Sequence, residues 1–209
     1  MSYEYDVFVS YPHEDIHKKW LYDIFLKRFR TVLRNELLRE PSLYLDTQEN
    51  ATGMSWQLKM ENALARSRVL LPLWSIDYFL SVYCRAESIV FFHREAQLGY
   101  RTLENNNVLV LPIGLFDGAG YPKFAKKVLY LECVDYNHVY QNYPQTEAHS
   151  ELMKLIDGFA KDVKNSIVAA PSWDAEWLTP AWLADPIKEW EDNRSLKIQD
   201  DSFDLDPML

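Results

Sequence analysis

Short apolar runs that end in turn residues alternate along this chain with longer segments whose apolar residues recur every three or four positions. That alternation restricts the fold more than any other feature. YDVFVSY (Tyr5 to Tyr11) is β-branched and aromatic, reads as a strand buried on both faces, and ends at Pro12. From Asp15 to Leu38 the period becomes helical: Leu21, Ile24, Phe25, Phe29, Val32 and Leu33 make one stripe, with Lys27, Arg28 and Arg34 elsewhere. SLYLDT (Ser42 to Thr47) is a second strand, followed by the polar loop QENATGMSW with Gly53 in its middle. SWQLKMENALARS reads as a helix that Ser55 can cap, with Leu58, Ala63 and Leu64 facing inward. VLLPLWS is a third strand, in which Pro72 removes a ladder hydrogen bond and predicts a bulge or an early strand end. A helix from about Tyr78 to Tyr100, strands in NNNVLVLPIGLF and KKVLYLECVDY, and a last helix capped by Thr146 complete the alternation. Five short strands separated by helices predict a parallel sheet covered on both faces.

Composition narrows the function classes. The 209 residues are enough for one good core. A net charge of -9 repels phosphate backbones, so no direct nucleic-acid partner is expected, although a local anion pocket for a small nucleotide is not excluded. Two cysteines, Cys84 and Cys133, are too few for a disulfide framework or a four-thiolate site, and the five histidines are scattered, so no metal site is expected. No secretory signal and no apolar run of membrane-spanning length are visible, which predicts a cytoplasmic protein without a membrane partner. The organisation changes at about Ile167. Residues 1–166 read as one domain. Residues 167–209 read as an extension rich in Trp and Pro, whose acidic end DDSFDLDPML is expected to be disordered. Trp173, Trp177, Trp182 and Trp190 are too many aromatics for a free linker, so the extension is expected to pack as a clasp on the domain or on a partner.

Ligands of open α/β sheets bind beyond the carboxyl ends of the strands. The residues there are Ser10 and Tyr11 after the first strand, Asp46 after the second with the Gly53 loop beyond it, and Trp74 and Ser75 after the third. The helix that leaves the third strand carries Tyr83 and Glu87. At about 100° per residue, Phe79, Val82, Tyr83, Ala86, Ile89 and Val90 share an inward arc, and Glu87 falls just outside it, about 40° from Tyr83. An edge position lets a carboxylate reach a crevice without full burial. Phe91 and Phe92 point away from that arc, which predicts either an exposed contact surface or cover from the extension or the last helix. Spacing alone makes Glu87 a helix-edge charge, Tyr83 a core aromatic, Cys84 a structural residue, Asp46 a turn residue and Asp77 a helix cap.

The order FVSY, a loop containing Gly53, then WS-x-D-YF-x-S-x-YC-x-x-E resembles a Toll/interleukin-1 receptor (TIR) domain of the bacterial type over about residues 4–165. The string from Trp74 to Glu87 is its specific part. The resemblance implies a flavodoxin-like, three-layer α/β fold with a five-stranded parallel sheet. It implies that Glu87 is the catalytic glutamate of an NAD-cleaving enzyme, that Tyr83 lines the nucleotide site, and that Gln48 to Trp56 is the mobile BB loop gating it. NAD+ is then substrate, no separate cofactor is needed, and TIR–TIR self-association is expected. The implied reaction breaks the nicotinamide–ribose bond. A carboxylate near the ribose stabilises the developing oxocarbenium ion, and water or a group of the same molecule captures the sugar as ADP-ribose or a cyclic ADP-ribose. The implied setting is bacterial antiphage defence. The chain either makes a signal for a separate effector, as in Thoeris-type systems, or is an effector switched on by a partner sensor. A non-enzymatic TIR adaptor acting by assembly is the competing reading. A nucleoside deoxyribosyltransferase is a lesser one, and a response-regulator receiver is rejected because the first strand ends in Ser-Tyr-Pro rather than acidic residues.

Overall fold

The computed structural model describes residues 2–12, 15–45, 56–119, 121–137, 146–185 and 187–188. Among them five parallel strands form one sheet: β1 (Tyr5–Ser10), β2 (Leu43–Leu45), β3 (Ser67–Trp74), β4 (Ile113–Gly114) and β5 (Leu131–Glu132), in the order β2-β1-β3-β4-β5. This is the expected flavodoxin-like fold. Val7, Phe8 and Val9 in β1 and Val69 to Leu71 in β3 are completely buried, as strands covered on both faces must be. The chain runs from β1 outward to β2 and then back across to β3, so the order reverses between β1 and β3. Their carboxyl ends flank the switch point of the sheet, where a crevice opens in folds of this kind.

Pro72 neither bulges β3 nor ends it. The strand continues to Trp74, with Ser10 of β1 opposite Pro72. The N–H and C=O of Leu70 both face the β4 side, bonding Leu109 O and Leu111 N at 2.8 and 2.9 Å. Pro72, two residues on, faces the same side. Its missing donor therefore appears as a gap between the isolated Leu70–Val110 bridge and the Leu73–Ile113 pair.

One face of the sheet is covered by α1 (Asp15–Trp20), a π-helical turn (Leu21–Phe25), α2 (Leu26–Leu37) and α7 (Glu147–Ala169). The predicted stripe supplies the buried Leu21, Phe25, Phe29 and Leu33, and Phe159 of α7 packs against the two phenylalanines. Thr146 caps α7 as expected, accepting from His149 N at 3.2 Å. The other face carries α3 (Trp56–Ala65) and α5 (Val82–Gln97), preceded by the single-turn α4 (Ile76–Leu80). In α3, Ala63 and Leu64 are buried as expected, but Leu58 is exposed and Met60 takes the inward place. The Ser55 cap lies outside the described residues. α6 (Lys123–Lys127) connects β4 to β5.

The described part of the extension packs over α3 and α5 as a 3-10 turn (Ala175–Leu178) and α8 (Pro180–Leu183). Trp173 Nε1 donates to Ala65 O at 3.2 Å, the Trp177 ring lies 4.2 Å from the Arg94 guanidinium, and Trp182 meets His93 edge-on at 5.3 Å. Tyr3 reaches across from the amino-terminal side, donating to Pro171 O at 3.0 Å. Trp190 and the acidic end lie outside the described residues. Phe91 and Phe92 are not an exposed contact surface: both are buried, with the Arg94 guanidinium 4.5 Å from the Phe91 ring and 4.2 Å from that of Trp177, and the Arg101 guanidinium 5.6 Å from the Phe92 ring.

Candidate functional site

The helix after β3 is two helices. Ser75 ends the strand and caps α4, its Oγ accepting from Tyr78 N at 3.1 Å. Ser81 returns to extended backbone (φ -71°, ψ 121°) and caps α5, accepting from Cys84 N at 3.3 Å. Each serine satisfies an otherwise orphaned helical N–H. Asp77, expected as the cap, lies exposed in the first turn of α4.

The break shifts the phase of the first turns of α5, although Ile89 and Val90 of the predicted arc are buried as expected. An inward arc computed through Phe79 counts a residue of α4 as part of α5. In the structure Phe79 is buried, but Val82 and Tyr83 are exposed, Tyr83 by 56 %, and Cys84, Glu87, Ser88 and Phe91 face inward. Glu87 is therefore not at the helix edge; it is 5 % exposed. Burying a carboxyl this far is costly unless it is hydrogen-bonded. Glu87 Oε2 shares a short hydrogen bond with the hydroxyl of Ser10, the last residue of β1.

That bond belongs to a buried cluster. Ser10 Oγ is 2.9 Å from the Tyr78 hydroxyl, which is 2.8 Å from Ser88 Oγ and donates to the Cys84 carbonyl at 2.9 Å. Burial pushes the Tyr78 phenol well above its ordinary range. The neighbouring Cys84 and Glu87 add to the rise, and the hydrogen bonds with Ser10 and Ser88 oppose it. Tyr78 and Ser88 escape a sequence reading because Tyr78 looks like one more apolar aromatic. The two serine caps that fix its position stand in the sequence at Ser75 and Ser81 as ordinary cap signals.

The other residues read as substrate-binding divide. Ser10 joins Glu87. Tyr11 turns the other way and places its hydroxyl 3.2 Å from that of Tyr22. Trp74 is completely buried among Phe79, Tyr121 and Tyr130, and its carbonyl accepts from the Tyr121 hydroxyl at 2.8 Å. Ser75 is completely buried as the α4 cap. Asp46, Gly53 and the loop from Gln48 to residue 55 lie outside the described residues. Among the described residues no three His, Cys, Asp or Glu side chains cluster as metal ligands, and no helix is long and apolar enough to cross a membrane.

What the site offers chemically is one carboxyl group, nearly withdrawn from water, anchored to a strand end through a serine and backed by a phenol. The sequence model of the TIR domain family matches residues 7–145, from β1 to just before α7. No curated protein matches the sequence. Among solved structures, the chain is similar to the TIR domain of the Toll-related receptor TRR-2 from Hydra magnipapillata. That similarity has 18% identity over 73% of this chain and 98% of that one, with a TM-score of 0.40. It is also similar to the TIR domains of the activated Roq1 resistosome that recognises the effector XopQ, with 16% identity over 91% and 99% and a TM-score of 0.39.

Proposed function

Because this chain belongs to the TIR domain family, which includes NAD-cleaving enzymes and adaptors, we propose that it cleaves the nicotinamide–ribose bond of NAD+ with Glu87 as the catalytic residue. The observation that carries the reading is the seat of Glu87. Its carboxyl turns inward against Ser10 at the carboxyl end of β1, beside the switch point of the sheet, where a surface charge would turn to solvent. Nicotinamide departs neutral from a cationic pyridinium, and positive charge grows on the ribose. A carboxylate fixed in a water-poor site offsets that charge without reorganising. Capture by water gives ADP-ribose, and capture by a group of the same molecule gives a cyclic product. Tyr83, exposed one turn before Glu87, is available to stack on a base.

The role we assign is bacterial antiphage defence within the cytoplasm, with TIR–TIR self-association and a separate sensor or effector as partners. Self-association does not involve Phe91 or Phe92, which are buried. The test is nicotinamide release by folded wild type and Glu87→Gln, measured across protein concentrations. Glu87→Gln keeps the shape and removes the charge. Electrostatic contributions of this kind are worth roughly 3–4 kcal/mol, so turnover falls about a hundredfold or more. Wild-type turnover rises more than linearly with concentration. Wild-type turnover by Glu87→Gln would overturn the mechanism, and constant specific activity in a monomeric protein would remove the assembly.

A further inference from the structure

The Tyr78 hydroxyl joins three elements. The residue belongs to α4. Its hydroxyl donates to the Cys84 carbonyl at 2.9 Å and lies 2.8 Å from Ser88 Oγ, both on α5, and it meets Ser10 Oγ, at the end of β1, at 2.9 Å. The ring is completely buried, edge-on to Phe79 at 5.6 Å. A phenol carries its oxygen on a rigid ring with two rotatable bonds, so the buried ring and the two holds on α5 fix where that oxygen stands. Ser10 is the opposite case. The strand fixes its backbone, but its hydroxyl can take any of three staggered positions. Ser10 Oγ is bonded to Glu87 Oε2 on one side and meets the Tyr78 hydroxyl on the other. Of these two neighbours the phenol is the rigid one, so it selects the Ser10 rotamer, and the Ser10 hydroxyl in turn draws the Glu87 carboxyl to the end of β1. The contacts form a circuit that leaves α5 at Cys84 and Ser88, passes through α4 and β1, and returns to α5 at Glu87. Because extended backbone at Ser81 separates the two helices, α4 cannot set the direction of Glu87 along a continuous rod, and the hydroxyls do so across space.

We infer that Tyr78 is a positioning residue of the site: its hydroxyl fixes that of Ser10, and through Ser10 it sets the direction in which the Glu87 carboxyl faces. The role rests on the proposed function, since a carboxyl needs aiming only if it reacts. Glu87 has a further interaction besides Ser10, so loss of the Tyr78 oxygen turns the carboxyl rather than releasing it. The effect is therefore smaller than that of removing the Glu87 charge, but a misplaced reacting group still costs rate.

The experiment is a double-mutant cycle on NAD cleavage by the full chain: wild type, Tyr78→Phe, Ser10→Ala and the two together. Phe fills the place of the ring and removes one oxygen. Tyr78→Phe lowers kcat about tenfold and leaves KM within about twofold, because the lost contact aims the reacting group and does not touch substrate. Ser10→Ala lowers kcat by as much or more. In the Ser10→Ala background Tyr78→Phe costs less than about twofold more, because the path is already cut. If Tyr78 were merely a structural tie between α4 and α5, its loss would persist in the Ser10→Ala background, and that additivity overturns the inference. So does wild-type kcat in Tyr78→Phe. A second readout needs no turnover. The carbon-13 resonance of the Glu87 carboxyl in the full chain, assigned by its loss in Glu87→Gln, moves in Tyr78→Phe and in Ser10→Ala, and the double variant matches Ser10→Ala alone. An unmoved resonance in Ser10→Ala overturns the inference without any Tyr78 variant, and so decides the matter even where Tyr78→Phe does not fold. If Glu87→Gln cleaves NAD like the wild type, the function falls, and the aiming of Glu87 still stands or falls by this resonance.

Discussion

Glu95 sits two turns beyond Glu87 on α5, and its replacement by alanine is the sharpest test of what holds that helix. Glu95 Oε1 accepts from Val110 N at 2.8 Å, from Leu109 N, and from Arg101 Nη2 at 3.0 Å; Oε2 accepts from Arg101 Nε at 2.8 Å. Leu109 and Val110 are completely or almost completely buried. Glu95→Ala strands both of their N–H groups, at about 1–3 kcal/mol each. Arg101 retains a bond to Val110 O at 2.9 Å and is partly exposed, so its charge can be rehydrated and adds little. Water entering the vacated space recovers part of the loss. The expected destabilisation is about 3 kcal/mol, within the range for broken buried pairs. For a chain of this length it lowers Tm by about 6–12 °C. The assays are urea unfolding by far-ultraviolet circular dichroism, with the slope required to match the wild type, and a thermal scan by the same signal. A Tm within about 2 °C of wild type would refute the idea that Glu95 carries the turn from α5 into β4.

Leu38 ends α2 in the left-handed region, at φ 55°, with its side chain 91 % exposed. Leu38→Gly removes that strain without uncovering core, and should stabilise the protein by about 0.5–1 kcal/mol in the same urea assay. At alkaline pH, burial raises Tyr3, Tyr121 and Cys133 to about 12 in the folded protein. In the unfolded chain they titrate at about 10, 10 and 8.5. Their contribution is complete below those unfolded values and is lost as pH rises through the folded ones, so stability should decline from about pH 9 towards pH 12. A flat stability profile over that interval would contradict the burial of all three.

The strands were legible because a sheet covered on both faces needs continuous apolar runs, and YDVFVSY or VLLPLWS can serve little else. The amphipathic stripe of α2 and the Thr146 cap were legible for equally local reasons. The split between α4 and α5 was hidden by apolar residues that continue across it. Reading one helix there placed Tyr83 inward and Glu87 at the edge, and both positions are reversed by the phase change at Ser81. Glu95, Arg94 and Arg101 could not be read at all. Their partners are a strand entry, an aromatic from the extension and backbone carbonyls, brought together only by tertiary structure. The choice of Ser10 with Glu87 was accessible through the switch-point rule. The intervening Tyr78 was not, because nothing local distinguishes a hydroxyl that completes a network from one that reaches water.

The anchoring of α5 is uneven along its length. From Glu87 to Glu95 it is gripped by the sheet on one side and by the tryptophans of the extension on the other, whereas Val82 and Tyr83 in its first turn face outward. Glu87 thus stands near the start of the held stretch, one turn after the buried Cys84. The outward-facing Val82 and Tyr83 can drift in identity, generation after generation, and the approach to the site can be rewritten while the carboxyl keeps its address. The cost of that freedom is carried at the far end: any lineage that shortens the chain past Trp177 also strips the ring from Arg94, leaving a buried guanidinium to its bonds with the carbonyls of Ser67 and Leu64.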